Sequence, residues 1–415
     1  MRPGAVSSQA AEQEPGLGAA PRVLFVSPVV PAPLDRGQNV RIHNVVMGLA
    51  RHFRVTLVVP HSPESDIESP LWAAVEQVVA VPPAAGRATL RDVVRFMIRH
   101  RTVVRPGVVT WLTPYAEAVD RLDLDHYSAI WVERLGLARL FAPVAARVVV
   151  DMDDLEHRKW ARELWLHARA GLGPESLKRL YYAVRFFVHE VVLARRYQRC
   201  AVASATDAAY LRRWGLRNSA LLPNGATVAE PAARTPRGEG APGRVVFLGN
   251  LGYGPNVDAV AHFEESVRPI LDERGLAVDL AVIGPGVTEE LRARFPRVRF
   301  QGFVPDLPAA LRDFELCVVP LRLGGGTKLK VLDAMAVGLP LVTTSVGAEG
   351  LHLTDGVHAL VADSPADFAE AVARALDDTR LADALGEGGR RLVEEHYSWR
   401  SVQDKAVALV SATVR

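Results

Sequence analysis

The chain has 415 residues, with 49 Lys and Arg against 47 Asp and Glu, and a net charge of +2. A hydrophobic fraction of 49% and a charged fraction of 23% are ordinary for a globular protein and exclude a mainly disordered chain. The two cysteines exclude a disulfide scaffold and a cysteine-based metal cluster.

The N-terminal residues and the length of the apolar runs bear on targeting and on membrane insertion. Residues 1–20 are rich in Ala, Gly, Pro and Ser and lack the apolar core of a signal peptide, so we expect a disordered tail. No apolar run reaches the roughly 18 residues of a membrane span. The sequence therefore predicts a cytoplasmic protein, with peripheral contact at the inner face of a membrane as the alternative.

The first domain is predicted over residues 21–217, where short apolar runs alternate with amphipathic segments. Strands are predicted at residues 22–27, 55–59, 77–81, 129–132, 147–150 and 201–204, and helices at 40–51, 176–199 and 207–214. Continuous apolar strands that alternate with helices are typical of a doubly wound parallel sheet.

A second α/β domain is predicted over residues 244–397, after a linker at 218–243 that begins with the turn sequence LLPNGA. Its strands are predicted at 244–249, 278–284, 298–300, 316–320, 340–344 and 358–361, and its helices at 256–272, 288–295, 307–314, 327–337 and 367–395. A closing helix at 398–415 is expected to cross back to the first domain. Two facing sheets leave a cleft at their carboxyl edges, where ligands of such folds bind.

The charge is divided unevenly between the two halves. Residues 21–217 hold 28 Lys and Arg against 19 Asp and Glu, whereas residues 218–415 hold 20 against 26. The basic half fits an anionic acceptor or an acidic membrane surface, and equally an ordinary solvated surface. The near-neutral total and the absence of a recognition motif argue against nucleic acid.

Two stretches of the first domain concentrate this positive charge. Arg87, Arg91, Arg95 and Arg99 recur every four residues, which places them on one side of a helix. Residues 158–217 combine 13 basic residues with several aromatic ones. This pattern indicates either an interfacial helix or a helix whose aromatic side chains face the core.

The most informative window is PLRLGGGTKLKVLDAMAVGLPLVTTSVGAEGL, residues 320–351. A buried strand runs into a glycine loop and at once into a helix, whose free N–H groups and dipole favour a phosphate. Lys328 in the first turn opposes the dipole unless an anion is bound, and Asp333 can accept hydrogen bonds from vicinal hydroxyls. The alternative is an ordinary loop and helix in which both side chains are solvated.

This window resembles the donor-binding signature of the retaining GT-B glycosyltransferases of family 4, in a subgroup with a G-G-G-T-K-x-K loop. The segments RVVFLGNLGYGPNVDAVAHF, VRFQGFVPDLPAALRDFELCVVPL and LLPNGA are similar to other parts of that family. The resemblance covers residues 20–400, and it is strong in the second half and weaker over 60–200.

The resemblance implies a nucleoside diphosphate sugar as donor, with no other cofactor and no metal. It implies that Lys328 binds the pyrophosphate as a catalytic residue, that Asp333 holds the ribose, and that Phe303 and Val304 meet the base. Further donor-binding residues implied by it are Gly37, Asn250, Gly325, Gly326, Thr327 and Glu349.

Two departures from the family pattern stand out. Gly325 occupies the place of a glutamate that usually faces the donor sugar, and Asn250 lies where many members have Arg and Lys. Lys328, together with Lys330, is then expected to carry the phosphate charge. The GGGTKxK subgroup is similar in both respects.

The acceptor-side residues are expected in the segment Asp151-Met-Asp153-Asp154 and at His157, after a strand at the cleft edge. Asp153 is our candidate for orienting or deprotonating the acceptor hydroxyl. Capping of the following helix is the alternative for Asp153 or Asp154. The cluster is similar to the metal-binding D-x-D of a different glycosyltransferase fold, but two α/β halves favour a metal-independent enzyme.

We therefore expect a retaining glycosyltransferase that acts on a saccharide, a lipid-linked or a small-molecule acceptor. A nucleotide-sugar epimerase and a catalytically degenerate partner of another transferase remain as alternatives. A dinucleotide dehydrogenase is disfavoured, because PVVPAPLDRG follows the first strand in place of a G-x-G-x-x-G turn.

Overall fold

The structure is a computed structural model that describes residues 20–34, 37–61, 69–84, 86, 88–100, 106–168, 173–229, 238, 240–323 and 328–414. The predicted tail except residue 20, Arg87, and the loop residues Gly325, Gly326 and Thr327 lie outside the described residues. Within these ranges the strands form two parallel sheets, as the sequence predicts.

The first sheet has the strand order β3-β2-β1-β4-β5-β6-β7, with parallel pairing throughout. Its strands are β1 (Arg22–Val26), β2 (Arg54–Pro60), β3 (Gln77–Val81), β4 (Ala129–Glu133), β5 (Val148–Asp153), β6 (Arg199–Val202) and β7 (Ser219–Leu221). The last strand lies inside the segment predicted as a linker, so the first sheet extends past residue 217.

The second sheet has the order β10-β9-β8-β11-β12-β13 and is also parallel. Its strands are β8 (Gly243–Leu248), β9 (Val278–Ile283), β10 (Arg299–Gly302), β11 (Leu316–Val319), β12 (Leu341–Thr343) and β13 (Leu360–Val361). Helices cover both faces of the central strands, which explains why β1, β2, β4 to β6, β8, β9 and β11 are mainly buried and apolar, whereas the edge strands β3, β7 and β10 are partly exposed.

The α-helices described in the first domain are α1 (Gly37–Ala50), α2 (Pro70–Ala74), α3 (Leu90–His100), α4 (Pro106–Asp120), α5 (Leu135–Ala138), α6 (Glu156–Ala168), α7 (Pro174–Phe187) and α8 (Ala205–Arg213). Helices α2 to α6 lie outside the ranges predicted as helices from the sequence. Helix α7 continues into a π-helical segment, Val188–Val192, and a 3₁₀ segment, Leu193–Arg196, so the helix predicted to residue 199 ends earlier.

The α-helices described in the second half are α9 (Gly254–His262), α10 (Arg268–Glu273), α11 (Glu289–Arg294), α12 (Leu307–Leu311), α13 (Leu329–Ala336), α14 (Ser345–Ala348), α15 (Pro365–Asp377), α16 (Thr379–Leu392) and α17 (Trp399–Val414). The single helix predicted over 367–395 is divided at Asp378. Its backbone leaves the helical region, and its side chain accepts a hydrogen bond from the Leu381 amide to begin α16.

The closing helix α17 crosses back to the first domain, as predicted, and packs against α1. The two helices approach so closely that a Cβ at Gly48 would lie 2.6 Å from the Gln403 side chain. Arg51 also donates to Gln403 at 2.9 Å. Glycine is therefore required at position 48 for this contact.

The chain passes between the domains twice, near residue 226 and near residues 397–399, and these two segments are hydrogen-bonded to each other. The Ala226 amide donates to the Tyr397 carbonyl at 2.8 Å, and the Trp399 amide donates to the Ala226 carbonyl at 3.3 Å. A Cβ at Gly225 would lie 2.6 Å from the Trp399 ring, so the turn predicted from LLPNGA lies directly against the start of α17. Backbone hydrogen bonds and close packing therefore hold the two segments of the junction together.

Helices α6 and α7 form an antiparallel hairpin, and some of their aromatic side chains contact each other between the two helices. The rings of Trp160 and Tyr182 stack with their centroids 4.8 Å apart.

Among the described residues, no helix is both long and apolar enough to cross a bilayer.

Candidate active site

A cavity of about 780 Å³ lies between the carboxyl edges of the two sheets. The first domain contributes Gly37 at the start of α1, and the second contributes the ends of β8 and β9 and the start of α13. This volume is within the range of cavities that enclose small-molecule ligands. The predicted cleft is therefore present.

The start of α13 forms one wall of the cavity. Lys328 is its N-cap residue, and no side chain caps the helix among the described residues. The first N–H groups of this eight-residue helix are thus available to an anion in the cleft. Gly37 lies against this point: a Cβ there would be 2.5 Å from Leu329 Cδ1, so the domains approach closely.

Lys330 is the lysine that lines the cavity. Its Nζ donates to Asn256 Oδ1 at 2.5 Å and lies 4.3 Å from the centre of the Phe247 ring. Burial lowers the pKa of the Lys330 ammonium to about 7. An anion bound beside this nitrogen would favour its charged form.

Asn250 also lines the cavity and organises the loop after β8. Its side-chain oxygen accepts from the Gly252 amide at 2.8 Å, and its carbonyl accepts from Asn256 Nδ2 at 2.7 Å. Since Asn256 also binds Lys330, this loop and the start of α13 form one hydrogen-bonded unit. Asn250 shapes the wall by these contacts.

Asp333 lies on the same wall, one helical turn beyond Lys330. Burial raises the pKa of its carboxyl group to about 7. Phe303 and Val304, in the loop after β10, line the opposite part of the cavity. The large exposed fraction of Phe303, 62%, leaves its ring available to a planar group.

Lys328 faces a different set of groups. Its side chain is 7% exposed, and burial lowers the pKa of its ammonium while the negative charges of Glu349, Asp154 and Asp207 raise it. The acidic partners come from both domains. Lys328 therefore lies at an electrostatic contact between the domains, beside the cavity that Lys330 enters.

Glu349, predicted to face the donor, forms an ion pair across the cleft. Its carboxylate accepts from Arg162 of α6 at 3.0 Å, and Arg158 lies 3.9 Å away. Arg158 also pairs with Asp207. This chain of charges joins the second domain to the first.

Asp153, the predicted catalytic residue, ends β5 in the left-handed region at a φ of 59°. Its Oδ2 accepts from Arg134 Nη2 at 3.0 Å, and Arg134, which follows β4, also has a positive φ of 68°. Left-handed backbone at non-glycine residues costs about 1–3 kcal/mol each and is concentrated at functional sites. Two such residues therefore lie together at the cleft edge.

Among the described residues, Asp153 and Asp154 each have a carboxylate oxygen without a hydrogen-bond partner, but Asp153 pairs with Arg134 through its other oxygen, which leaves Asp154 as the more available group. Its Oδ1 is buried and has no hydrogen-bond partner among the residues that the structure describes. Burial, followed by the charge of Asp153, raises the pKa of Asp154 to about 7, against the opposing effect of Arg134. Neither aspartate is needed to cap α6, because the Glu156 and His157 amides donate to Glu190.

The remaining acidic-segment residues have structural partners. Asp151 accepts two hydrogen bonds from Arg41 of α1, from Nε at 2.9 Å and Nη2 at 3.0 Å. His157 lies between Glu190, at 2.5 Å from Nδ1, and Tyr210, at 3.0 Å from Nε2. Within the described ranges, no three His, Cys, Asp or Glu side chains are grouped to hold a metal ion.

Replacing Asp154 by asparagine is expected to raise the free energy of unfolding at pH 8 and to leave it nearly unchanged at pH 4. A carboxyl group whose pKa is higher folded than unfolded destabilises the fold increasingly as pH rises from about 4 to about 7. Thermal unfolding at the two pH values measures this difference. An equal effect at both would contradict the assigned ionisation.

Comparison with known proteins places this geometry in a known fold. The structure superposes on sucrose-phosphate synthase from Thermosynechococcus elongatus with a TM-score of 0.68 and 18% identity, covering 94% of this chain and 98% of that one. It also superposes on Anabaena HepE in complex with UDP and glucose, with a TM-score of 0.60 and 14% identity, covering 94% and 100%. The fold is GT-B.

Sequence comparisons agree for the second half of this GT-B chain. Residues 242–378 match the family model described as "Glycosyl transferases group 1". A glycogen synthase of Mycobacterium tuberculosis is 29% identical over 216 residues, which are 48% of this chain and 50% of that protein. The chain matches about half or less of the length of its first curated relatives.

Two residues that support this region of the GT-B fold were not singled out by the sequence motif: Asn256, which lines the cavity, and Arg41, which is buried behind it. Asn256 fixes Lys330, and Arg41 fixes the acidic segment through Asp151. The Pro-Asn sequence after the glycine-rich turn was the available signal for Asn256. Arg41 lies in a helix that is mostly buried, and the sequence alone does not distinguish it from a surface arginine.

Proposed function

We propose that this protein is a glycosyltransferase that uses a nucleoside diphosphate sugar. The observation that carries this proposal is that Lys330 and Asp333 line the same wall of the interdomain cavity, in the first two turns of α13. A cation and helix N–H groups suit a pyrophosphate, and a carboxylate one turn away suits ribose hydroxyls. The glycosyltransferase family match over residues 242–378 supports the same assignment.

In this proposal each wall of the cavity has one task. The pyrophosphate lies at the start of α13 with Lys330, and Lys328 adds a second positive charge from the domain contact. Asp333 holds the ribose, and the loop at Phe303 and Val304 contacts the base. Stabilisation of the departing diphosphate by these groups is the main electrostatic contribution, and it requires no metal ion.

The acceptor enters from the first domain, opposite α13. Asp154 is the group that we propose to orient or deprotonate its hydroxyl, because its buried Oδ1 has no hydrogen-bond partner among the described residues and burial raises its pKa to about 7. A saccharide, a lipid-linked saccharide or a small molecule carries the required hydroxyl. Closure of the domains over both substrates would exclude water.

We further propose that transfer retains the anomeric configuration of the donor. This proposal is supported by the motif of residues 320–351, which is similar to that of retaining enzymes and whose residues Leu329, Lys330 and Asp333 line the cavity. Nuclear magnetic resonance of the product reports its anomeric configuration. An inverted linkage would overturn this part of the proposal.

Thermal unfolding with UDP, GDP, ADP, CDP and dTDP tests the donor site. A nucleotide present at 100 times its dissociation constant is expected to stabilise the fold by about 2.7 kcal/mol. The stabilisation is expected to disappear in Asp333→Ala and to persist in Asp363→Ala. The second aspartate lies outside the cavity, where its carboxylate accepts hydrogen bonds from Ser345.

Absence of stabilisation by all five nucleotides would contradict the proposed donor. Stabilisation that survives in Asp333→Ala would place the nucleotide elsewhere. Incubation of a bound donor without acceptor separates the epimerase alternative, because an epimerase changes the sugar and a transferase does not.

A further inference from the structure

Helix α3 exposes an apolar ridge on the surface of the first domain. Leu90, Val94 and Ile98 recur every four residues and are 78%, 43% and 75% exposed. The opposite side of the helix already supplies the core, through the buried side chains of Val93 and Phe96. The exposed ridge is therefore in excess of what folding of this domain requires.

A row of positive charge runs beside this ridge. Arg91, Arg95 and Arg99 each follow one of its apolar residues and are exposed. Arg99 pairs with Asp120 of α4 at 2.5 Å, which holds that end of the row in place. Apolar and arginine rows side by side are typical of helices that lie in a membrane interface.

A second exposed apolar row lies on α7 and the π-helical segment after it. Its members have spacings of three or four residues and share one side of this continuous helix. They are Leu177, Leu180, Val184, Val188 and Val192. Single exposed apolar residues are common on protein surfaces, but this row continues through more than three helical turns and therefore forms a continuous apolar surface.

The two rows belong to the same side of the first sheet. Helix α3 and the π-helical segment both contact the 3₁₀ segment Arg139–Arg147. His100 of α3 is hydrogen-bonded to the Leu140 carbonyl at 3.2 Å, and Arg139 contacts His189 at 2.8–2.9 Å. Helix α3 and the π-helical segment thus lie on either side of the 3₁₀ segment, in the helical layer that covers one face of the first sheet.

We propose that this layer docks on an anionic phospholipid surface, with the apolar rows among the acyl chains and the arginines at the headgroups. Charge complementarity selects this occupant: residues 21–217 carry 28 basic against 19 acidic residues. A twofold contact with a second copy would bring like arginine rows together. The docking is independent of the proposed transferase activity.

Vesicle sedimentation of the full-length chain tests the proposal. The vesicles are phosphatidylcholine alone, or phosphatidylcholine with 30 mol% phosphatidylglycerol, a composition on the order of natural anionic membranes. We expect at least about tenfold tighter binding to the anionic vesicles. Raising the salt to about 1 M, where the Debye length is about 3 Å, should weaken that binding strongly.

Two double variants separate the contributions of the rows. Leu90→Ser with Ile98→Ser, and Arg91→Gln with Arg95→Gln, are each expected to lower anionic-vesicle binding about tenfold or more. The matched controls Val357→Ser and Arg391→Gln change exposed residues of the second domain and are expected to bind like the wild type. All six substitutions are at exposed positions, and unchanged thermal unfolding midpoints verify the fold.

Several results would overturn the inference. These are no sedimentation with anionic vesicles, equal binding to both vesicle types, or an equal loss in the second-domain controls. A dimer in solution that dissociates on the Leu90→Ser and Ile98→Ser changes would assign the surface to a second copy. Nucleotide stabilisation is measured separately, so failure of docking leaves the donor site unaffected.

Discussion

Replacing Lys330 by methionine is expected to lower the rate of sugar transfer about 10²–10³-fold, by analogy with the loss of a single oxyanion donor. Methionine keeps the apolar stem beside Phe247 but removes the charge that faces the cavity. Turnover of whichever donor binds is compared with that of Lys405→Met. Lys405 is a matched control on α17, where its Nζ donates to the His396 carbonyl.

The same assay on Lys328→Ala separates the two lysines. Lys328 lies beside Glu349, Asp154 and Asp207, so its loss is expected to disturb the contact between the domains as well as the diphosphate. If Lys330→Met retained turnover within about threefold of the wild type, the assignment of Lys330 to the diphosphate would be wrong.

Replacing Arg41 by methionine is expected to lower the free energy of unfolding by about 3–5 kcal/mol, because it leaves Asp151 charged and buried without its partner. The Arg41 guanidinium also donates to the Leu222 and Pro223 carbonyls and to Asn224, at 2.9–3.1 Å. This one side chain joins α1, β5 and the domain junction. Denaturant unfolding measures the loss.

Two further variants test the reason for that loss. Adding Asp151→Leu to Arg41→Met should recover part of the stability, because the unpaired charge is then removed while the junction carbonyls still lack their donor. Arg54→Met, which breaks a half-exposed ion pair with Glu76, should cost about 1 kcal/mol or less. Similar losses in Arg41→Met and Arg54→Met would contradict the account.

The parallel sheets were predictable because their central strands are buried on both faces and are therefore continuous apolar runs. The run RVVFLG predicts β8 within one residue of its observed bounds, and the runs for β1 to β4, β9, β11 and β12 do the same. The bounds predicted for β5, β6, β10 and β13 differ from the observed ones by two or three residues at one end or both, and β7 was not predicted. Helix α4 was not predictable by the same reasoning. Its run of β-branched residues and its internal Pro114 disfavour a helix, and packing against the sheet outweighs that preference.

The motif predicted that the start of α13 lies at the cleft, where it lines the interdomain cavity, but not the direction of each side chain. Residues 328 and 330 are two positions apart, and side chains two apart on a helix point to different sides. Which lysine enters the cavity depends on how α13 is rotated against β8 and α9. The motif contains both lysines, and the fold places Lys330 against Asn256.

Contacts between distant parts of the chain were beyond sequence reasoning. The Arg41–Asp151 pair joins residues 110 positions apart, and the Arg162–Glu349 pair joins residues 187 apart. Each partner alone resembles an ordinary surface charge. Only the assembled domains show that one pair supports the junction and that the other crosses the cleft.

Hydrogen exchange of the full-length chain with and without the stabilising nucleotide tests the central claim most directly, since it locates the bound diphosphate. We expect slower exchange at the start of α13, from residue 329, and in the loop after β8 and the first turn of α9, residues 249–256, with little change in α3. Nucleotide binding that leaves α13 unprotected, or that protects a different region, would contradict the donor site between the two domains.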